Sequence, residues 1–528
     1  MIAPSGTRGF EFANLNLKRA NTRTEMRLVL VVQYIRVSVP VPDGMGLQSG
    51  EFGPKAVVKK QFSEAVCTID SLECVTKTVG NNTAAMCIVA DGNVLVSGTP
   101  QSVNTLEDYV NVLATQIGKY LKAANHVVVV FDEPAHMTRA KQEEQAFRDT
   151  RRKPAAVPVS DDVQPLPLND EFDSDSLPEN VSIRAMYNSR GSRSRIIDML
   201  SMRLINLFAR RFEACLPGTP FKSLTIDGID GRGAKRPQHC KREPSMVSTS
   251  DSVAELLARD QPIGEGDAKL TVVTDAIRTS RADAASPFYN VSRVVVTTVD
   301  TDSIVIELLA YARRTELEHA EDDFKTYLCF RERAQQAGSR PVSKKRSINE
   351  LASGDNSLPL AISHYTAIDV AVLYANVMLY LFTATRADQI DCIQPVMRLR
   401  AVSLFALGAI MCGTDFTLMP DGHKGVRGLR FDEVLLKLRD ICTDAPHPLA
   451  ALDSVWKWDD PALLRISAVV HDILQRVAGH LEGVPRRKKN AELVRATDCA
   501  MVKKCLWNLS YFHGLERLDT HNWGYKGC

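Results

Sequence analysis

The sequence has no Cys-x-x-Cys pair and no His/Cys spacing of a zinc site, although its 528 residues include 12 cysteines. Scattered thiols without a pairing pattern read as reduced cysteines of a cytoplasmic or nuclear protein. An excess of one charge is also lacking: 65 Lys plus Arg stand against 63 Asp plus Glu. That balance excludes a uniformly basic coat but leaves room for a local basic path beside an acidic site. No secretory signal is expected, because Met1 to Arg27 is polar and mixed in charge. Nor is there an uninterrupted apolar run of membrane length. Thr366 to Thr385 contains Asp369 and Asn376, and Val396 to Cys412 contains Arg398 and Arg400, so two buried core helices are expected and no membrane span.

What is present centres on Val294 to Ile304, a β-branched run that stops at Asp300 and Asp302. Continuous apolar runs are the mark of strands buried on both faces of an α/β sheet, and the chemistry of such sheets gathers at the carboxyl ends of their strands. Two carboxylates at that point suit a hard divalent cation, which prefers oxygen ligands. Alone, an Asp-x-Asp describes a solvated turn equally well.

The same form recurs along the chain. Ala65 to Ser71 is a short apolar strand ending at Asp70, and His126 to Asp132 is a run of valines ending at Asp132. Between them Leu106, Tyr109, Val110, Leu113, Ile117 and Leu121 mark a helix over 105–124. After Asp132 a basic, helix-compatible segment carries Arg139, Lys141, Gln145 and Arg148, with the last three at i, i+4 and i+7 on one face. That face suits a phosphate as well as it suits bulk water. An apolar stripe from Ile196 to Phe212 predicts a further helix, and Phe221 to Ile226 a short strand. Gly228 to Ser250 reads as a basic loop able to follow a nucleic-acid backbone. A helix opens at Gly264-Glu265-Gly266-Asp267, and Cys412-Gly413-Thr414-Asp415 again sets a carboxylate after an apolar element. Seven such groups, Asp70, Asp132, Glu265, Asp267, Asp300, Asp302 and Asp415, would repel one another in one crevice unless cations lay between them.

The local words resemble a known family. Gly264-Glu265-Gly266-Asp267-Ala268-Lys269-Leu270, Asp300-Thr301-Asp302-Ser303-Ile304 and Gly413-Thr414-Asp415-Phe416 are similar to the GEGEHKI, DADLI and GNDF words of the XRN-type 5′→3′ exoribonucleases, within the FEN/XPG nucleases of PIN-like fold. Thr138 to Arg148 resembles the basic segment of the same family. Asp267 stands where the family word has glutamate, and Asp149 where it has a second arginine. The resemblance implies an α/β fold with a central, mostly parallel sheet flanked by helices, loop insertions and a helical C-terminal part. It implies two Mg²⁺ or Mn²⁺ ions on the seven carboxylates, and a 5′-monophosphate pocket of Arg139, Lys141, Gln145 and Arg148. The expected partner is nucleic acid, RNA before DNA. A flap-endonuclease-like DNA nuclease and a nucleic-acid-binding scaffold are the alternatives. The nuclease core is expected over 61–330, with insertions at 154–192 and 228–260 and a helical part over 356–430. An unassigned extension over 1–60 and a helical region over 431–528 flank it.

Overall fold

The computed structural model describes residues 54–70, 72, 75, 85–97, 106–132, 190–214, 222–229, 235–241, 266–284, 286, 288–317, 323–333, 362–384, 386–414 and 431–443. In chain order these form α1 (Pro54–Gln61), β1 (Val66–Ile69), β2 (Ala85–Asp91), α2 (Gly92–Ser97), α3 (Leu106–Ala123), β3 (His126–Val130), α4 (Arg190–Glu213), β4 (Ser223–Ile229) and β5 (Lys235–Lys241). There follow α5 (Gly266–Ser280), β6 (Val291–Thr298), α6 (Asp302–Leu317), β7 (Lys325–Arg333), β8 (Ile362–Asp369), α7 (Val370–Leu381), α8 (Ala387–Asp391), α9 (Pro395–Cys412) and α10 (Phe431–Thr443). Residues 1–53 of the expected extension, most of the expected insertion at 154–192 and the chain beyond 443 lie outside the described residues.

The eight strands form one sheet in the order β1-β8-β7-β6-β2-β3-β4-β5. Strands β7, β6, β2, β3 and β4 run parallel to their neighbours. The remaining pairings are antiparallel: β8 to β7 and to β1, and β5 to β4. The mostly parallel sheet flanked by helices agrees with the expected class. Its centre is the valine-rich set β6, β2 and β3, buried along almost its whole length.

Alternate residues feed two cores, because side chains of a strand point to opposite faces. Cys87, Val89, Val128, Val130, Val294 and Val296 pack with α5, α6, α7, α9 and α10. Ile88, Ala90, Val127, Val129 and Val295 pack with the apolar stripes of α3 and α4. Each large apolar side chain fully buried this way contributes roughly 1.5–3 kcal/mol, so the two layers fix the strand ends firmly in space.

Two expectations need correction. Thr366 to Asp369 belongs to β8, and the helix starts only at Val370, where the Asp369 carboxylate accepts hydrogen bonds from Ala371 N (3.0 Å) and Val372 N (3.1 Å). Asp369 is therefore a helix cap, which a side-chain acceptor at that position favours. The basic stretch expected as a loop over 228–250 contains β5, whose Pro237 and lysines suit a strand at the edge of a sheet. The longer apolar helix, α9, has a mean hydropathy of 1.5 over a window that is 67% buried inside the fold, the setting of a core helix.

Candidate functional site

Three adjacent parallel strands deliver carboxylates to one edge. β2 ends on Asp91, level with Val130 of β3, and Ala90 is level with Thr297 of β6. Asp132 follows β3 by two residues and Asp300 follows β6 by two. Asp91, Asp132 and Asp300 share the alternation of Val89, Val130 and Thr298, which directs them toward the α5/α6 side of the sheet.

Asp91 is held by the turn it starts. Its Oδ1 accepts hydrogen bonds from Asn93 N (2.9 Å) and Val94 N (3.3 Å), capping α2. Burial pushes its carboxyl up to about 7; the charge of Asp132 adds to this and that of Asp300 adds less, while the two backbone N–H groups pull the other way. Asp91 therefore senses the other two acids from a buried position. Gly92 makes the packing possible: a Cβ there would lie 2.5 Å from the buried ring of Phe131, the residue before Asp132.

On β6 the turn into α6 is tied by Asp300 N donating to Thr298 Oγ1 (3.1 Å) and Asp302 N donating to Asp300 Oδ1 (3.2 Å). Asp302, only 3% exposed, opens α6, where a negative charge suits the helix N-terminus. From the other side comes Lys269 in the first turns of α5, 2% exposed, with Nζ donating to Phe131 O at 2.9 Å. The same turns contain the backbone of Asp267.

Helix α9 packs against α6. Arg398, near its start, forms an ion pair with Glu316 near the end of α6, at 2.6 Å. Fourteen residues separate Asp302 from Glu316 and fourteen separate Arg398 from Cys412. At 1.5 Å of rise per residue each path covers about 21 Å, and Thr414, two residues past α9, is buried.

The residues singled out from the sequence thus divide into three sets. Asp132, Asp300 and Asp302 are brought to one edge of the sheet, and the first turn of α5 with Asp267 belongs to the same edge. Glu265, Asp415, Arg139, Lys141, Gln145 and Arg148 lie outside the described residues. Asp70 is exposed at the end of the outermost strand β1, with β8 and β7 between it and β6. At about 4.8 Å per strand, β1 is some 14 Å from β6, and Asp70 does not join the cluster. Asp91 stands there instead. Its signal was in the sequence, since Cys87-Ile88-Val89-Ala90-Asp91 has the same form as the run that ends at Asp132.

Among the described residues no three His, Cys, Asp or Glu side chains are gathered closely enough to hold a metal ion. The chemistry of the donors nevertheless fits a hard divalent cation: they are carboxylate oxygens, and a cation beside Asp91 would offset the charges of Asp132 and Asp300 that act on it. No protein-family model matches the chain and no curated protein is found similar to it, so the family resemblance stands on the GEGDAKL, DTDSI and GTDF words themselves.

Proposed function

We propose that the protein is a metal-dependent phosphodiesterase that degrades nucleic acid, and that its substrate is 5′-monophosphorylated RNA taken in the 5′→3′ direction. The observation that carries the reading is the meeting of Asp91, Asp132 and Asp300 at the carboxyl ends of three neighbouring strands, with Asp302 at the head of the next helix. The PIN-like fold and the exonuclease polarity come from the sequence words. When bound, two divalent ions would polarise the phosphodiester and stabilise the leaving oxygen of an in-line displacement. The chain's own part is to hold those ions: Asp300 and Asp302 from the β6–α6 turn, Asp91 and Asp132 from the neighbouring strands. Asp267, Glu265 and Asp415 complete the proposed set, and Lys141, Gln145 and Arg148 would receive the terminal phosphate.

The test uses the full chain with Mn²⁺ on single-stranded RNA bearing a 5′-phosphate or a 5′-hydroxyl, and on a DNA flap. Degradation of the phosphorylated RNA is expected, falling at least 100-fold in Asp300→Asn and in Asp91→Asn, on the scale of lost electrostatic stabilisation. Preference for the flap would replace the exoribonuclease reading with the endonuclease one. Binding without cleavage would leave a scaffold. Full activity in Asp91→Asn would remove Asp91 from the site.

A further inference from the structure

Lys269 is a cation that α5 inserts at the acidic edge, and it is almost fully buried. An ammonium has three donors. The Phe131 carbonyl takes one of them at 2.9 Å and brings only a partial charge. Ammonium groups buried to this degree are rarely tolerated unless anions lie close by. The Phe131 carbonyl belongs to the peptide that leads into Asp132, and Asp132 is one of the two acids that push up the carboxyl of Asp91. A positive charge on α5 is therefore fixed at the carbonyl of the residue before Asp132, beside the acids that act on Asp91.

We infer that Lys269 is a built-in counter-cation of this crevice, sharing its carboxylates with divalent ions and tying the end of β3 to α5. The inference rests on the reading of the crevice as a cation site. It has two consequences of opposite sign. Removing the positive charge leaves the carboxylates more attractive to a divalent ion, while removing the tie weakens the protein when no ion is present. A lysine that only packs would, when lost, weaken both stability and ion binding; one of no consequence would change neither.

The experiment titrates the full-length protein with Mn²⁺ alone, following bound ion by calorimetry and thermal unfolding with and without Mn²⁺. Lys269→Met is expected to bind Mn²⁺ about tenfold more tightly than the wild type, the scale of losing one nearby like charge in a partly solvated site. It should also melt lower without the ion and gain more in Tm on adding it. Lys269→Arg, which keeps the charge, should bind Mn²⁺ as the wild type does. If the methionine variant does not fold, Lys269→Gln, which retains a donor for the Phe131 carbonyl, supplies the same comparison. Unchanged or weaker Mn²⁺ binding in the charge-removing variant overturns the role of Lys269 while leaving the cation site in place. A wild type that takes up no Mn²⁺ overturns both.

Discussion

Glu307 lies on α6, five residues after Asp302, with no exposed surface and with both carboxylate oxygens lacking a hydrogen-bond partner. Thr271 of α5 faces it and draws its pKa down without reaching hydrogen-bonding geometry. Arg314 also favours the charged form, but that guanidinium is already bonded to Asp275, whose own charge opposes ionisation of Glu307. Burial outweighs these effects and raises the Glu307 carboxyl from 4.5 to about 7. The unfolded chain then releases its proton first, so between pH 4.5 and 7 the folded state binds more protons and stability falls as pH rises. That interval corresponds to a loss of about 3 kcal/mol, complete once the folded state also ionises above pH 7.

Glu307→Gln removes the titration. A buried amide brings its own unsatisfied groups, at a cost of about 1–3 kcal/mol, but that cost is the same at every pH. The diagnostic is therefore the slope: relative to the wild type, the glutamine variant should gain about 3 kcal/mol between pH 4.5 and 8. Urea unfolding followed by circular dichroism, with chelator present and at half-unit pH steps, measures it. A difference between the two proteins that stays constant within about 0.5 kcal/mol across that range would refute the argument, since surface substitutions alone reach that size.

Gly92→Ala should drive a methyl group into the Phe131 ring, costing about 1–3 kcal/mol and pushing Asp91 away from Asp132. Weaker Mn²⁺ binding by calorimetry should accompany the loss, and Phe131→Leu in the same chain should restore part of both; no restoration would place the collision elsewhere. Arg398→Ala leaves the buried Glu316 without its guanidinium, although Tyr374 still donates to it, and frees the carbonyls of Ile390 and Ile393 that Arg398 also holds. A loss of about 3–5 kcal/mol in urea unfolding is expected, and Glu316→Gln with Arg398→Met should recover much of it. A single-variant loss below about 1 kcal/mol would show that this ion pair behaves like one on the surface.

Much of the frame was legible because the local signals agreed with the tertiary ones. Strand β3 is valine at four of its five positions and β6 carries the run Val294–Val296, as strands covered on both faces favour, and α3 carries its buried stripe at helical spacing. Asp132, Asp300 and Asp302 could be read from those runs. Asp91 could not be chosen over Asp70 by form, since each closes a short apolar run; what separates them is register. Among the described residues β1 pairs only with β8 and stands at the rim, whereas β2 lies between β6 and β3. The fusion of β8 with α7 into one expected helix has a similar cause: a strand and a helix buried on all sides have the same composition, and only the cap at Asp369 marks the join. β5 was hidden because edge strands carry the lysine and proline that otherwise signal a loop.

The pairing of β1 with β8 also sets the order in which the molecule can be finished. About 290 residues separate Ile69 from Ile362, so a ribosome adding roughly 5–20 residues per second needs about 15–60 s to make the partner that β1 awaits. During that interval β1 has no antiparallel neighbour among the described strands, while the β2–β3 pair that follows it in the chain is already available to close. Among the described strands β1 thus stays unpaired, the kind of edge that invites foreign pairing, until β8 emerges.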